Sequence, residues 1–120
     1  MLNFINKEMD FLEIPYEFGE WESDIKYPYF VGELPSPERI ETEDGKEEFT
    51  LIISGFHRGK ISALEDIRKR IKAHFDPKYG LRGRTEDGGA IVVYYNGAYY
   101  PPTGEMKLKK IEIQLKILCW

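Results

Sequence analysis

The chain has 120 residues, the size of one domain, with 42% apolar and 32% charged residues, enough to build a core that stands without metal or crosslinks. Its single cysteine, Cys119, excludes an intrachain disulfide and fits a reducing compartment. With 17 basic and 21 acidic residues the formal charge is −4, which argues against sequence-independent nucleic-acid binding, where excess Lys and Arg must displace counterions.

Residues 1–13 predict an amphipathic helix. Leu2, Ile5, Met9 and Leu12 recur at helical spacing, Phe4 and Phe11 widen the apolar face, and Pro15 ends the segment. Glu8 and Asp10 break the uninterrupted apolar run that a signal peptide needs. No later apolar run approaches the roughly 20 residues of a membrane helix. YEFGEW at 16–21 predicts a short strand, and YPYFVGE at 27–33 a second one. Pro28 cannot donate a ladder hydrogen bond, so that strand starts there or lies at an edge. PSPE at 35–38 predicts a loop, Arg39 to Thr42 resumes a strand, and Asp44-Gly45 is a hairpin signal.

Residues 46–56 predict a strand with Phe49, Leu51 and Ile53 on one face. A helix follows, for which Ser62 and Glu65 are spaced as a capping box. Leu64, Ile67, Ile71 and Phe75 form its stripe, and Pro77 and Gly80 stop it. Residues 76–89 hold four Gly, one Pro and no periodicity. They predict a loop that is mobile in a free subunit and ordered by a partner. AIVVYY at 90–95 predicts a strand, and Asn96-Gly97 a tight turn. The last strand alternates most cleanly, with Ile111, Ile113, Leu115, Ile117 and Cys119 set against Glu112, Gln114 and Lys116. The order defines one α+β domain, two helices packed on a mainly antiparallel β-sheet.

Residue types that carry chemistry are sparse. His57 has no nucleophile or orienting partner near it in sequence, and His74 suits the negative end of the second helix. The carboxylates at 20–24 and 41–48 read as solvated charge runs, and no calcium-loop spacing occurs among them. Gly80, Gly83, Gly88 and Gly89 do not match a phosphate loop and precede a strand, not a helix. No catalytic, cofactor or metal constellation is expected. Lys78, Tyr79, Arg82 and Arg84 make a basic and aromatic segment. It reads as an exposed loop, as a docking loop, or as a nucleic-acid contact that Glu86 and Asp87 offset. Tyr27, Tyr29 and Phe30, together with Tyr99 and Tyr100, are the remaining interface candidates, because aromatic residues are enriched at protein contacts.

Several segments in this order resemble the tail-terminator proteins of long-tailed bacteriophages, also called tail-completion or minor tail proteins. They are the N-terminal helix, YEFGEW, YPYFVGE, the Asp-Gly hairpin, FTLIISGF, ALEDIRKRI and, after PPTGE, the strand IEIQLKI with Trp120. The resemblance covers nearly the whole chain and lies in the order of elements. It implies a structural virion protein, made in the host cytoplasm and ending in the virion tail, that assembles as a homo-hexameric ring. Such a ring caps the tail tube, stops its growth and meets the head connector, while DNA passes through without specific binding. It implies no cofactor, no membrane and no enzymatic activity. Six copies would carry −24 (6 × −4), which repels phosphate wherever it lines a channel. The alternative expectation is a small non-catalytic protein-binding or regulatory module.

Overall fold

Two twelve-residue strands organise the molecule. β4 (Glu47–Arg58) and β7 (Leu108–Cys119) pair antiparallel along their whole length, from Glu47↔Cys119 to Arg58↔Leu108. The computed structural model describes residues 1–35, the backbone of 40–41, and 46–120. The other edge of β4 is shared. β2 (Tyr29–Glu33) pairs antiparallel with Ile52–Phe56, and β3 (Ile40–Glu41) with Glu47 and Glu48. β1 (Tyr16–Phe18) runs parallel to β2 and ends the sheet on that side. On the other side β6 (Ala90–Tyr99) pairs with β7, and β5 (Leu81–Arg84) pairs with β6 at the opposite edge. The order is β1-β2-β4-β7-β6-β5, with β1–β2 the parallel pair. This is the expected α+β domain, two helices on a mainly antiparallel sheet.

Period-two alternation sends one side chain in two to the helix-covered face. There Leu51 and Ile53 of β4, the four isoleucine and leucine residues Ile111, Ile113, Leu115 and Ile117 of β7, and Ile91 and Val93 of β6 are buried. α2 (Ile61–His74) buries Leu64, Ile67 and Ile71 against them, and Phe75 closes its end. α1 (Leu2–Phe11) adds Ile5 and Met9 to the same core and lays the Phe4 ring over Gly83 of β5. The two helices meet where Glu8 and His74 approach to 2.7 Å, with the Phe11 ring stacked on His74. His74 therefore bonds to the other helix through Glu8.

α1 ends earlier than residue 13. Glu13 takes a left-handed φ of +58°, Ile14 N–H returns to Met9 C=O, and Glu13 N–H to Asp10 C=O. These paired bonds satisfy the last carbonyls and place Ile14 against Met9, both buried. The expected capping box at α2 does not form. Lys60 is the N-cap, no side chain caps the helix, and Ser62 already lies inside it.

Residues 76–89 differ most from expectation. Asp76 Oδ1 accepts the backbone N–H groups of Lys78 and Tyr79, which turns the chain. Leu81–Arg84 then forms β5 against β6, and a second turn closes with Thr85 N–H on Gly89 C=O. What reads as a loop is a strand between two turns. LRGR has little strand preference of its own, and pairing with Ala90–Val93 supplies the order. Asn96-Gly97 likewise makes no hairpin. Tyr95 pairs with Leu115 and Ala98 with Ile113, so one extra residue bulges out, and Gly97 takes a φ of +111°. β2 begins directly after Pro28, in the interior of the sheet. The expected hairpin at Asp44-Gly45 and most of the 35–38 loop lie outside the described residues.

Candidate functional site

Among the described residues, the second face of the sheet carries no helix. Reading the registers across it gives rows of neighbours. Tyr29, Phe56 and Lys110 form one row, and Val31, Ser54, Glu112 and Tyr99 form the next. Further along come Thr50, Lys116 and Tyr94, then Glu48, Leu118, Val92 and Arg82. Most of these side chains are half-buried.

The aromatic residues cluster at one end of this face. The Tyr29 ring stacks on Phe56 with centroids 5.1 Å apart, and Trp21 and Tyr27 lie 5.0 Å and 5.7 Å from Tyr29. Arg58 donates from Nε to Tyr27 Oη at 3.2 Å, and from its terminal nitrogen to Glu105 at 3.1 Å. Lys110 sits 5.4 Å from the Phe56 ring centre. A cation over a ring gains from the ring's negative face. The result is an aromatic strip bordered by fixed cations, a composition typical of the anchors at protein contacts.

Among the interface candidates, Tyr27, Tyr29 and Tyr99, with Arg82 and Arg84, share this helix-free face or its border. Phe30 does not. It is fully buried on the other face, its ring against the backbone of Gly55, and belongs to the core. Alternation from Tyr29 makes this unavoidable, since neighbouring residues in a strand point to opposite sides. Tyr99 and Tyr100 are exposed, and a carboxylate fixes each hydroxyl. Tyr99 Oη bonds Glu112, and Tyr100 Oη bonds Glu65. Arg68 and then Tyr100 hold the Glu65 carboxyl down at about 2, while burial and then the Glu65 bond push the Tyr100 phenol up to about 12. Trp21, Phe56, Arg58 and Lys110 escaped the sequence reading. The signal for Phe56 was present, since it is out of phase with the buried residues of its own strand.

Lys78, Tyr79, Arg82 and Arg84 lie at the β5 edge, four strands away from β2. All four are exposed. Glu86 and Asp87 do not neutralise the arginines by pairing. Arg84 donates to Gly88 C=O, and Asp87 is occupied by Thr85 Oγ1 and Gly89 N–H, which lower its pKa. His57 is half-buried beside Lys109 on the next strand, and its Nδ1 has no partner among the described residues. Among the described residues no three His, Cys, Asp or Glu side chains converge as a metal site.

Models of known protein families give no match to this chain. Curated proteins give none either.

Proposed function

We propose that this protein is a structural virion assembly subunit that caps a phage tail tube as a homo-hexameric ring and joins it to the head connector. The carrying observation is the sheet face that has no helix among the described residues, where Trp21, Tyr27, Tyr29 and Phe56 lie together. An isolated subunit gains little from aromatic residues placed there, whereas a subunit whose faces and edges meet neighbours buries them. The resemblance of the chain's sequence segments, in their order, to those of tail terminators supports this particular assembly. In this reading the subunit needs no cofactor, and DNA crosses the ring without being gripped.

Closing a ring requires heterologous contacts that return on themselves after six steps. Each contact should bury roughly 1,000 Å² or more if the ring is stable without the tube. The test is to delete the gene from the genome that carries it and image the particles. Tails of irregular, overgrown length that fail to join heads are expected, and normal virions would refute the proposal. The alternative is a non-catalytic protein-binding module using the same aromatic face. Native mass spectrometry in the presence of tail-tube protein separates the two, since six 14.1 kDa subunits make 84.6 kDa (6 × 14.1).

A further inference from the structure

We infer that the two edges of the sheet are oppositely charged partners, so that β5 of one copy docks beside β1 of the next. This rests on the ring reading above and specifies its contact. The chain from Glu8 to Asp24 carries seven carboxylates and no Lys or Arg. It includes β1, where Asp10, Glu17, Glu20 and Glu22 line a shallow cleft of about 410 Å³ with Asn6, Tyr16 and Phe18. The opposite edge presents Lys78, Arg82 and Arg84, all exposed, while Glu86 and Asp87 lie beyond the strand in the turn that follows Arg84. Among the described residues none of the cleft carboxylates and none of these three cations makes an ion pair. Glu17 adds a specific demand. Its Oε1 accepts Glu22 N–H, while Oε2 is buried with no donor. Turning outward, that carboxylate would exchange an unsatisfied position for an incoming cation.

The backbone parity of both edges fits the same contact. Phe30 N–H bonds Pro15 C=O, and Gly19 N–H bonds Gly32 C=O. Pro15, Glu17 and Gly19 therefore face β2, and the N–H and C=O groups of Tyr16 and Phe18 face the open edge. At β5, Thr85 N–H bonds Gly89 C=O, and Gly83 pairs with Ile91 in the same phase. The outward backbone groups there are those of Arg82 and Arg84. Four antiparallel steps and one parallel step separate the two edges, so β5 and β1 point the same way. A copy rotated about an axis along the strands then pairs β5 parallel to β1.

In a parallel ladder an outward residue bonds the two residues flanking its opposite number. Arg82 set opposite Glu17 bonds Tyr16 C=O and Phe18 N–H. Both side chains then lie on the helix-free face, where the guanidinium meets the Glu17 carboxylate once that side chain turns outward. Opposite parity at either edge would have put the charges on different faces. The strands offer few ladder bonds, three residues against four, so charge selects the partner.

The test uses two charge-reversed full-length proteins, Arg82→Glu with Arg84→Glu, and Glu17→Arg with Glu20→Arg. A third, Glu20→Lys with Glu22→Lys, leaves Glu17 in place in case its loss disturbs the fold. Circular dichroism and thermal melting check folding, and sedimentation velocity at about 0.05 M and about 0.5 M salt reads association. Wild type should associate at low salt and less at high salt. Each reversed protein alone should lose at least about 100-fold in self-association. Mixing an arginine-reversed with a glutamate-reversed protein should restore it, because both contacts become complementary again, in strictly alternating order. A wild type that stays monomeric at both salts, reversed proteins that associate normally, or a mixture no better than its parts would each overturn the contact. Rings indifferent to these charges, with irregular tails from the deletion, would remove this contact and keep the proposed function. Normal tails from the deletion beside full rescue by mixing would do the reverse.

Discussion

Removing the Phe30 ring tests the fold at its tightest point. The side chain is fully buried, and its ring lies so close to Gly55 that a Cβ built there would stand 2.1 Å from a ring carbon. Phe30→Ala should cost about 3–5 kcal/mol, the usual loss for an aromatic core residue. At about 4 °C per kcal/mol for a domain of this size, melting falls by roughly 12 °C or more. Gly55→Ala attacks the same contact from below. Neither partner can retreat, since the ring sits in the core and the glycine sits mid-strand between β2 and β7. Overpacking of this kind costs on the order of 1–3 kcal/mol. In the Phe30→Ala background the obstacle is gone, so the added alanine should cost little. The cycle should therefore show a coupling of about 2 kcal/mol. Urea unfolding followed by circular dichroism measures all four proteins. Equal cost of Gly55→Ala in both backgrounds would refute the packing argument. A Phe30→Ala subunit that melts like wild type but fails to assemble would return Phe30 to an interface.

Ile113→Ala, in the fully buried stripe of β7, should lose on the order of 2–5 kcal/mol, and a loss under about 0.5 kcal/mol would mean that it is not core. Glu65 should impose a pH dependence: its carboxyl falls from 4.5 to about 2 on folding, so its contribution is present above 4.5 and drains away as pH drops toward 2. Urea midpoints between those limits should slope for wild type and flatten for Glu65→Gln. At the alkaline end Tyr100, raised from 10.0 to about 12, favours the fold below pH 10 and loses that contribution through 12. Tyr100→Phe should remove one late-ionising phenol from an ultraviolet titration.

The candidate surface was legible residue by residue but not as a surface. Tyr27, Tyr29 and Tyr99 stand out as aromatic residues in strands, yet their common face follows from pairing β2 to β4, β4 to β7 and β7 to β6. Phe30 stood beside them in sequence and went the other way, because one step along a strand reverses the side chain. Glu65 was spaced for a cap and serves Tyr100, 35 residues away, which only the approach of α2 to the end of β6 makes available.

Periodicity alone determined the two helices, the long strands β4 and β7, and the buried stripe of Ile111, Ile113, Leu115 and Ile117. A repeating pattern is local, and burying it is strong enough to choose the element. Residue type added the strands at YEFGEW, YPYFVGE and AIVVYY. Tertiary structure decided what no local pattern carried. It made a strand of LRGR, because β6 offered unpaired backbone, and a bulge of Asn96-Gly97, because β7 ran on beneath both flanks. It also carried an acidic β1 and a basic β5 to opposite edges of one sheet. Strand order and register come from contacts between residues far apart in the chain, and no local pattern encodes which strand a given edge will meet.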